Sequence, residues 1–337
     1  MELSDLLATP VGSWTGRHCR AARLGLSLSQ ENMAKQLGYS RQGLQQIEGR
    51  EEPVERVVEL SLRWLVEKLL LDQSRADPLL AWHQRGGTQF EQLVRKRGQR
   101  SSTLNNYQQY SYVLHPGKII PANSLLNVMH QAERTVRNFS NTSFRLFYPY
   151  TRPEIAPYFT ADEGSGIAMA DILESAVFPD NSKFADTFDL WRFHPQGYAT
   201  HVRAYLEDRE DSRTFGQTPG KWFCPLYLVR HLVELLWHSI AVGEQIPTDQ
   251  LIEFRCEWRG LKGRVIADVD PDVHWEDCHV SMTDTLATSG KWDMITVRRD
   301  WAEVVAALCA PTMRRFHPTF DLTPEWVVSQ TRRFARL

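Results

Sequence analysis

The feature that most constrains this 337-residue chain is a pair of short amphipathic segments joined by a tight turn, between Leu26 and Glu48. Ser29 can cap a helix that Gly38 ends, and Ser40 can cap the next helix. Four apolar residues are spaced so that two such helices can pack together: Ala34, Leu37, Leu44 and Ile47. The sequence therefore predicts two short crossing helices, the second of which turns its other face outward.

The outward face of the second predicted helix, over residues 40–49, carries side chains suited to DNA. They are Arg41, Gln42, Gln45 and Gln46. Because Arg pairs with guanine and Gln with adenine in the major groove, we interpret these four as base contacts. Gln30 and Ser40 stand where the two helices begin, and backbone N–H groups there attract phosphate. We therefore interpret Gln30 and Ser40 as phosphate contacts.

The segment SQENMAKQLGYSRQGLQQIE resembles the Cro/phage-repressor type of helix-turn-helix, known as the XRE family, over roughly residues 17–70. The matching positions are Gln30, Ala34, Gly38, Ser40, Arg41, Ile47 and Glu48. The resemblance implies a DNA-binding transcriptional regulator whose base contacts include Arg41, Gln42 and Gln46. Gly43 inside the second helix and the acidic residues from Glu48 onward depart from what DNA binding favours.

Charge and composition divide the chain into three parts. Residues 1–75 have helical patterns and balanced charge, residues 76–83 carry −1 from Asp77, residues 84–118 carry +5, and residues 119–337 carry −6. The overall charge of −2 therefore conceals a basic middle. The polar composition of this middle predicts a linker over residues 76–120. Its basic residues Arg95, Lys96 and Arg97 are expected either to contact DNA phosphates or to lie in solvent.

Residues 121–337 mix helical and strand patterns, which predicts an α+β domain with an antiparallel sheet. The fold class predicted for the chain is thus multidomain, an all-α helix-turn-helix domain followed by this α+β domain. Residues 187–320 resemble the C-terminal domain that follows the AlbA-type domain in bacterial Schlafen-like proteins. The resemblance rests on the aromatic strand before Pro195-Gln196-Gly197, the helix after Pro225 with Arg230 and His231, and the segment WRGLKGR. It implies dimerisation or effector sensing.

Motifs for catalysis and metal binding are missing from the sequence. HExxH, GxSxG, paired CxxC motifs and a P-loop lysine are all absent, so we expect no cofactor, no metal and no enzymatic activity. The five cysteines are odd in number and widely spaced, which favours free thiols in the cytoplasm. No apolar run is long enough to cross a membrane, so we expect no membrane partner.

These observations predict a cytoplasmic, sequence-specific regulator of transcription that binds double-stranded DNA. We expect a homodimeric repressor that reads a palindromic operator with helix 40–49, because one small helix-turn-helix contacts few base pairs. The C-terminal domain would dimerise and respond to an unknown small-molecule or protein effector. Three alternatives stay open. The chain is a defence-associated effector or enzyme with its catalytic site in 119–337 and an N-terminal domain that controls expression or assembly. Alternatively, its helix-turn-helix contacts a protein instead of DNA, or the chain is an interaction module that recruits another protein through its acidic C-terminal half.

Overall fold

The computed structural model describes residues 3–26, 28–97, 105–116, 119–140, 146–161, 170–178, 188–208, 218–246, 248–270, 273–276 and 278–334. The chain divides into two compact units, Met1–Pro78 and Leu79–Leu337. None of the described helices combines the length and the apolar character needed to span a membrane.

Helices are the main elements of the first unit. They are α1 (Leu3–Ala8), α2 (Gly16–Gly25), α3 (Gln30–Leu37), α4 (Arg41–Glu48) and α5 (Arg56–Ala76). The predicted caps are confirmed, because the Ser29 hydroxyl accepts the N–H of Asn32 at 3.1 Å and the Ser40 hydroxyl accepts that of Gly43 at 3.0 Å. The buried core of this unit comprises Leu6, Trp14, Cys19, Ala22, Met33, Ala34, Leu44, Ile47, Val54, Val58, Leu62 and Val66.

Two glycines determine how closely α2, α3 and α4 approach. Gly38 has a φ of +74°, the left-handed conformation that lets the chain turn sharply between α3 and α4. Gly16 begins α2 against the last turn of α4, where a Cβ atom would lie only 2.3 Å from the carbonyl oxygen of Ile47. The backbones of α2 and α4 therefore touch at a point that excludes any side chain at position 16.

The second unit combines helices on both faces of one antiparallel sheet. Its elements are α6 (Pro78–Lys96), β1 (Tyr107–Pro116), α7 (Ala122–Ser140), β2 (Tyr158–Ala161), β3 (Asp171–Val177), β4 (Asp189–Phe193), β5 (Tyr198–Ala204), β6 (Trp222–Phe223), α8 (Pro225–Gly243), β7 (Thr248–Trp258), β8 (Val265–Ile266), β9 (Leu286–Asp293), α9 (Met294–Arg299), α10 (Trp301–Phe316) and α11 (Pro324–Phe334). The seven-stranded sheet has the order β2-β3-β4-β5-β1-β7-β9, and β6 pairs with β8 in parallel. The expected α+β class with an antiparallel sheet is confirmed.

Strand β1 lies inside the sheet and is buried on both faces. Ser111 on one face meets His83 of α6, whereas Tyr110 and Tyr112 on the other meet His231 and His238 of α8. Helices α7, α10 and α11 pack against α8 and enlarge this second layer. The sheet is therefore enclosed between α6 and a layer centred on α8.

The prediction of a polar linker over residues 76–120 was wrong for the described part of this range, and residues 98–104, 117 and 118 lie outside the described residues. This range contains α6 and the interior strand β1, and the first unit already ends at Pro78. The buried side of α6 includes His83, Gly86 and Gly87, which interrupt its apolar periodicity. The β1 side chains that face α6 include the buried polar residues Gln109 and Ser111, whose hydrogen bonds offset the cost of burial.

Three sequence patterns in the second unit predict a local structure that differs from the one observed. Residues 164–178 have a helical pattern, but their described part forms β3, which pairs with β2 and β4 and is largely buried on both faces. Leu146 and Phe147 lie in an apolar segment that predicts a strand, but they form a turn. The segment around residues 259–263 predicts a hairpin, but β8 pairs in parallel with β6 instead of returning along β7. By contrast, the hairpin that the turn Pro195-Gln196-Gly197 predicts is confirmed by β4 and β5.

Candidate functional site

Helix α4 separates its buried and exposed residues cleanly. Leu44 and Ile47 are buried in the core of the first unit. The predicted base-contact residues are all exposed, namely Arg41, Gln42, Gln45 and Gln46. At 100° per residue these four positions cover an arc of about 140° on the helix. The structure therefore brings them together as one continuous polar surface, which we call the α4 face.

The beginning of α4 adds backbone donors beside the α4 face. Ser40 is exposed and has extended backbone angles, and its hydroxyl oxygen accepts the N–H of Gly43. Its hydroxyl hydrogen is left over for another acceptor, because a hydroxyl donates and accepts at once. A Cβ at Gly43 would lie 3.3 Å from this oxygen, so glycine gives the cap room. The first turn of α4 thus offers a positive helix end to an anion.

A buried ion-pair network links α2, α3 and α4. Arg23 of α2 donates to Glu48 from Nε at 2.5 Å and from Nη2 at 3.2 Å, and the Gln30 amide donates to the same carboxylate at 2.9 Å. Arg23 also donates to the carbonyl oxygen of Leu28 at 3.1 Å. The Arg23 and Glu48 side chains are only 11% and 5% exposed. This network therefore fixes the end of α4 relative to the start of α3.

The network changes the interpretation of two residues. Gln30, predicted to contact phosphate, is half-buried and donates from its amide nitrogen to Glu48. The donors left for a phosphate are therefore the second N–H of this amide and the backbone N–H groups at the start of α3. Glu48 looked unfavourable near DNA, but Arg23 neutralises its charge inside the unit. Sequence inspection missed Arg23. Its position on α2 was a signal for internal pairing, because Arg23 follows Ala22 and lies one turn after Cys19, and both of these residues are buried.

Two exposed arginines lie where α2 meets the end of α4, and sequence inspection did not single them out. The N–H of Gly16 donates to the carbonyl oxygen of Arg50 at 3.0 Å, which brings Arg50 beside Arg17. Both side chains are exposed. They provide positive charge at the end of the α4 face opposite to Ser40.

The predicted phosphate contacts Arg95, Lys96 and Arg97 belong to the second unit. Arg95 and Lys96 end α6, where positive charge complements the helix dipole. Arg95 donates to Glu91 at 3.2 Å, and the Arg97 guanidinium lies 4.3 Å from the centre of the Phe178 ring. The side chains of Arg95 and Lys96 are exposed, whereas that of Arg97 is half-buried, so a phosphate contact by these residues stays a prediction.

A buried network in the second unit has the residue types of a nucleophile and a base. The Ser111 hydroxyl lies 2.8 Å from Nδ1 of His83, whose Nε2 is 3.5 Å from Glu257. Burial lowers the pKa of His83. However, Ser111 has no exposed surface, and its hydroxyl donates to Thr200 at 2.7 Å. The network joins α6 to the sheet and presents no nucleophile to solvent.

Three further buried histidines lie between the sheet and α8. Burial lowers the pKa values of His201, His231 and His238, the last to about 3. Tyr112 meets Nδ1 of His238 at 2.9 Å, and the Phe147 ring stacks on this imidazole at 4.4 Å. Among the residues that the structure describes, no group of three or more His, Cys, Asp or Glu side chains is placed to hold a metal ion.

Comparisons of the chain with protein-family models, curated proteins and solved structures found no match. The α4 face, the positive start of α4 and the network beneath them therefore carry the functional interpretation.

Proposed function

We propose that this chain is a cytoplasmic, sequence-specific DNA-binding regulator of transcription, in which α3 and α4 form a helix-turn-helix and α4 reads base edges. The observation that carries the proposal is the α4 face. Its exposed guanidinium and three amide groups match the donors and acceptors of guanine and adenine in the major groove. An α-helix is also the element that the major groove accommodates.

The distribution of charge favours one way for α4 to approach DNA. Ser40 and Arg41 stand at its positive end, whereas the exposed acidic residues Glu51, Glu52 and Glu55 follow its other end. Arg17 and Arg50 at that end offset part of this negative charge, and the remainder makes the end less favourable to phosphates than the start of α4. We therefore expect the start of α4 to lie deepest in the groove, with Ser40 and the start of α3 on the flanking phosphates.

The regulator would act as a homodimer on a palindromic operator. One unit of this size covers few base pairs, and a two-fold partner places a second α4 about 34 Å away along the duplex. The second unit would contribute dimerisation and the response to an effector. Repression follows from occupancy of the operator alone, so it requires the fewest additional contacts.

Selection of duplexes from random sequence with the full-length protein tests this function. The selected duplex should bind at least about 1,000-fold more tightly than a scrambled one at the same salt concentration. Arg41→Ala should weaken binding to the selected duplex by roughly 30-fold or more, because the dimer loses one bidentate base contact of about 1–3 kcal/mol in each of the two half-sites. Arg332→Ala is the matched control, since Arg332 is exposed on α11 of the second unit.

A selected pool without a consensus, or equal loss in both variants, would contradict the proposal. The enzymatic alternative places its catalytic site in residues 119–337, and the Ser111–His83 network lies outside that range. Ser111 and His83 are 0% and 1% exposed, so we propose no reaction for them. The protein-contact alternative predicts that the Arg41 substitution leaves DNA binding unchanged and weakens capture of a protein partner.

A further inference from the structure

Helix α5 has two apolar stripes, and the first unit buries only one of them. Val58, Leu62 and Val66 lie in the core. Val57 and Trp64, on the other stripe, are 63% and 59% exposed, and Leu60 between them is 46% exposed. A helix on the surface of a folded unit normally turns polar residues outward. The second stripe of α5 therefore has the composition of a contact surface.

This exposed stripe borders an open groove of about 440 Å³. The groove is lined by Gln36, Leu37, Val57, Leu60, Ser61, Trp64 and Leu65, which together we call the α5 patch. Four of these seven residues are aliphatic and one is tryptophan, the residue type most enriched at interface hot spots. Contiguous apolar surface with a concave part next to an exposed aromatic side chain marks an interaction site.

We propose that the α5 patch pairs the first units of two copies of this chain, with their α5 helices antiparallel. The proposal rests on the proposed function, because two first units on one operator lie close together. A two-fold contact uses the same surface from both partners. The α5 patch suits such a contact because it has both a protruding side chain, Trp64, and a groove that can receive one. Trp64 of one copy would fill the groove of the other.

Charges beside the α5 patch favour the antiparallel arrangement. Arg56 and Glu67 are exposed near opposite ends of the apolar stripe and lie on the same flank of α5, about 20° apart by helical periodicity. In an antiparallel helix pair, equivalent flanks face each other with reversed direction. Arg56 of each copy therefore meets Glu67 of its partner, which makes two symmetric ion pairs at the rim.

The area of the α5 patch indicates how strong the pairing is. Val57, Leu60 and Trp64 together expose roughly 300 Å², since a tryptophan side chain presents up to about 250 Å². A stable interface needs about 800 Å² from each partner. The patch alone therefore supports a weak contact, which becomes populated where DNA holds two first units at high effective concentration.

Chemical crosslinking of the full-length chain tests the pairing. Ser61→Cys places a thiol at the centre of the α5 patch, in a Cys278→Ser background, because Cys278 is the only one of the five cysteines that is not buried. A bifunctional maleimide should convert this variant into a covalent dimer without DNA, and the selected two-half-site duplex should raise the rate roughly tenfold. Arg20→Cys in the same background is the control, since it is exposed on α2 outside the patch.

Charge exchange makes the test specific for the antiparallel geometry. Arg56→Glu and Glu67→Arg should each reduce Ser61→Cys crosslinking several-fold, and the double variant should restore it. Trp64→Ser should abolish the crosslink and leave binding to a single half-site unchanged. Circular dichroism of each variant confirms that it is folded.

Three results would overturn the pairing. The first is that Ser61→Cys crosslinks no faster than Arg20→Cys, and the second is that the charge exchange fails to restore the yield. The third is that Ser61→Cys resists even a monofunctional maleimide because other parts of the same chain cover the patch. Failure of the proposed function is a separate result. It would appear as loss of the rate increase on the selected duplex and of specific DNA binding, while the DNA-free crosslink still reports on pairing.

Discussion

The substitution Glu48→Gln tests whether the network under α4 holds the helices together. It removes one charge and keeps the size of the side chain. Arg23 is then left with a guanidinium that is 11% exposed and has lost its carboxylate partner. A Gln side chain still accepts one hydrogen bond, but it cannot accept charged bonds from both Nε and Nη2 while holding Gln30.

The expected cost of Glu48→Gln is about 3 kcal/mol of local stability. Removing one partner of a buried ion pair costs about 3–5 kcal/mol, and the low end applies because Arg23 keeps some solvent and its bond to the Leu28 carbonyl. A cost of this size corresponds to a fall of about 100-fold in protection from hydrogen exchange. The loss should appear in α3 and α4 and spare the sheet of the second unit.

Hydrogen exchange measured by mass spectrometry on the full-length chain is the assay, since it resolves the two units. A double-mutant cycle adds the control. Arg23→Met combined with Glu48→Met should be less destabilised than the two single substitutions predict, because neither charge is then buried alone. Unchanged protection of α3 and α4 in Glu48→Gln, or strict additivity in the cycle, would refute the stabilising role of the network.

Two further predictions concern packing and pH. Gly16→Ala should destabilise the first unit by at least about 1–3 kcal/mol in a urea titration, because the new Cβ would meet the Ile47 carbonyl oxygen at 2.3 Å. Gly49→Ala is the control and should cost far less, because its Cβ would have its nearest neighbour at 3.6 Å. Burial raises the pKa of Glu207 from 4.5 to about 7, so the folded chain holds more protons than the unfolded chain across that interval and its stability falls as pH rises through it. The free energy of unfolding of Glu207→Gln, relative to that of the wild type, should therefore rise by on the order of 3 kcal/mol between pH 4.5 and 7. A difference that does not change with pH would contradict the buried ionisation of Glu207.

The elements that sequence inspection predicted well are those whose signals are local. Ser29, Gly38 and Ser40 cap or end helices through groups within three or four residues, so α3 and α4 are readable without any partner. The exposed positions of α4 follow from the same periodicity. The turn at Gly197, with a φ of +84°, likewise marks the hairpin of β4 and β5.

The elements that sequence inspection missed depend on distant partners. His83 and Ser111 look like linker residues until Thr200, which lies 89 residues beyond Ser111, completes their hydrogen bonds. The Arg23–Glu48 pair likewise joins residues 25 positions apart. Polar residues that are buried in networks carry no hydropathy signal, so α6, β1 and the support beneath α4 could not be predicted from periodicity.

One measurement tests directly whether α4 reads bases. Binding of the full-length wild type and Arg41→Ala is compared on the selected duplex and on its variants with one base pair changed in both half-sites. We predict that the wild type discriminates at every conserved pair and that Arg41→Ala loses discrimination at one guanine position per half-site, with scrambled DNA bound almost equally by both proteins. A uniform loss of affinity on all duplexes, with the base preferences intact, would contradict the claim.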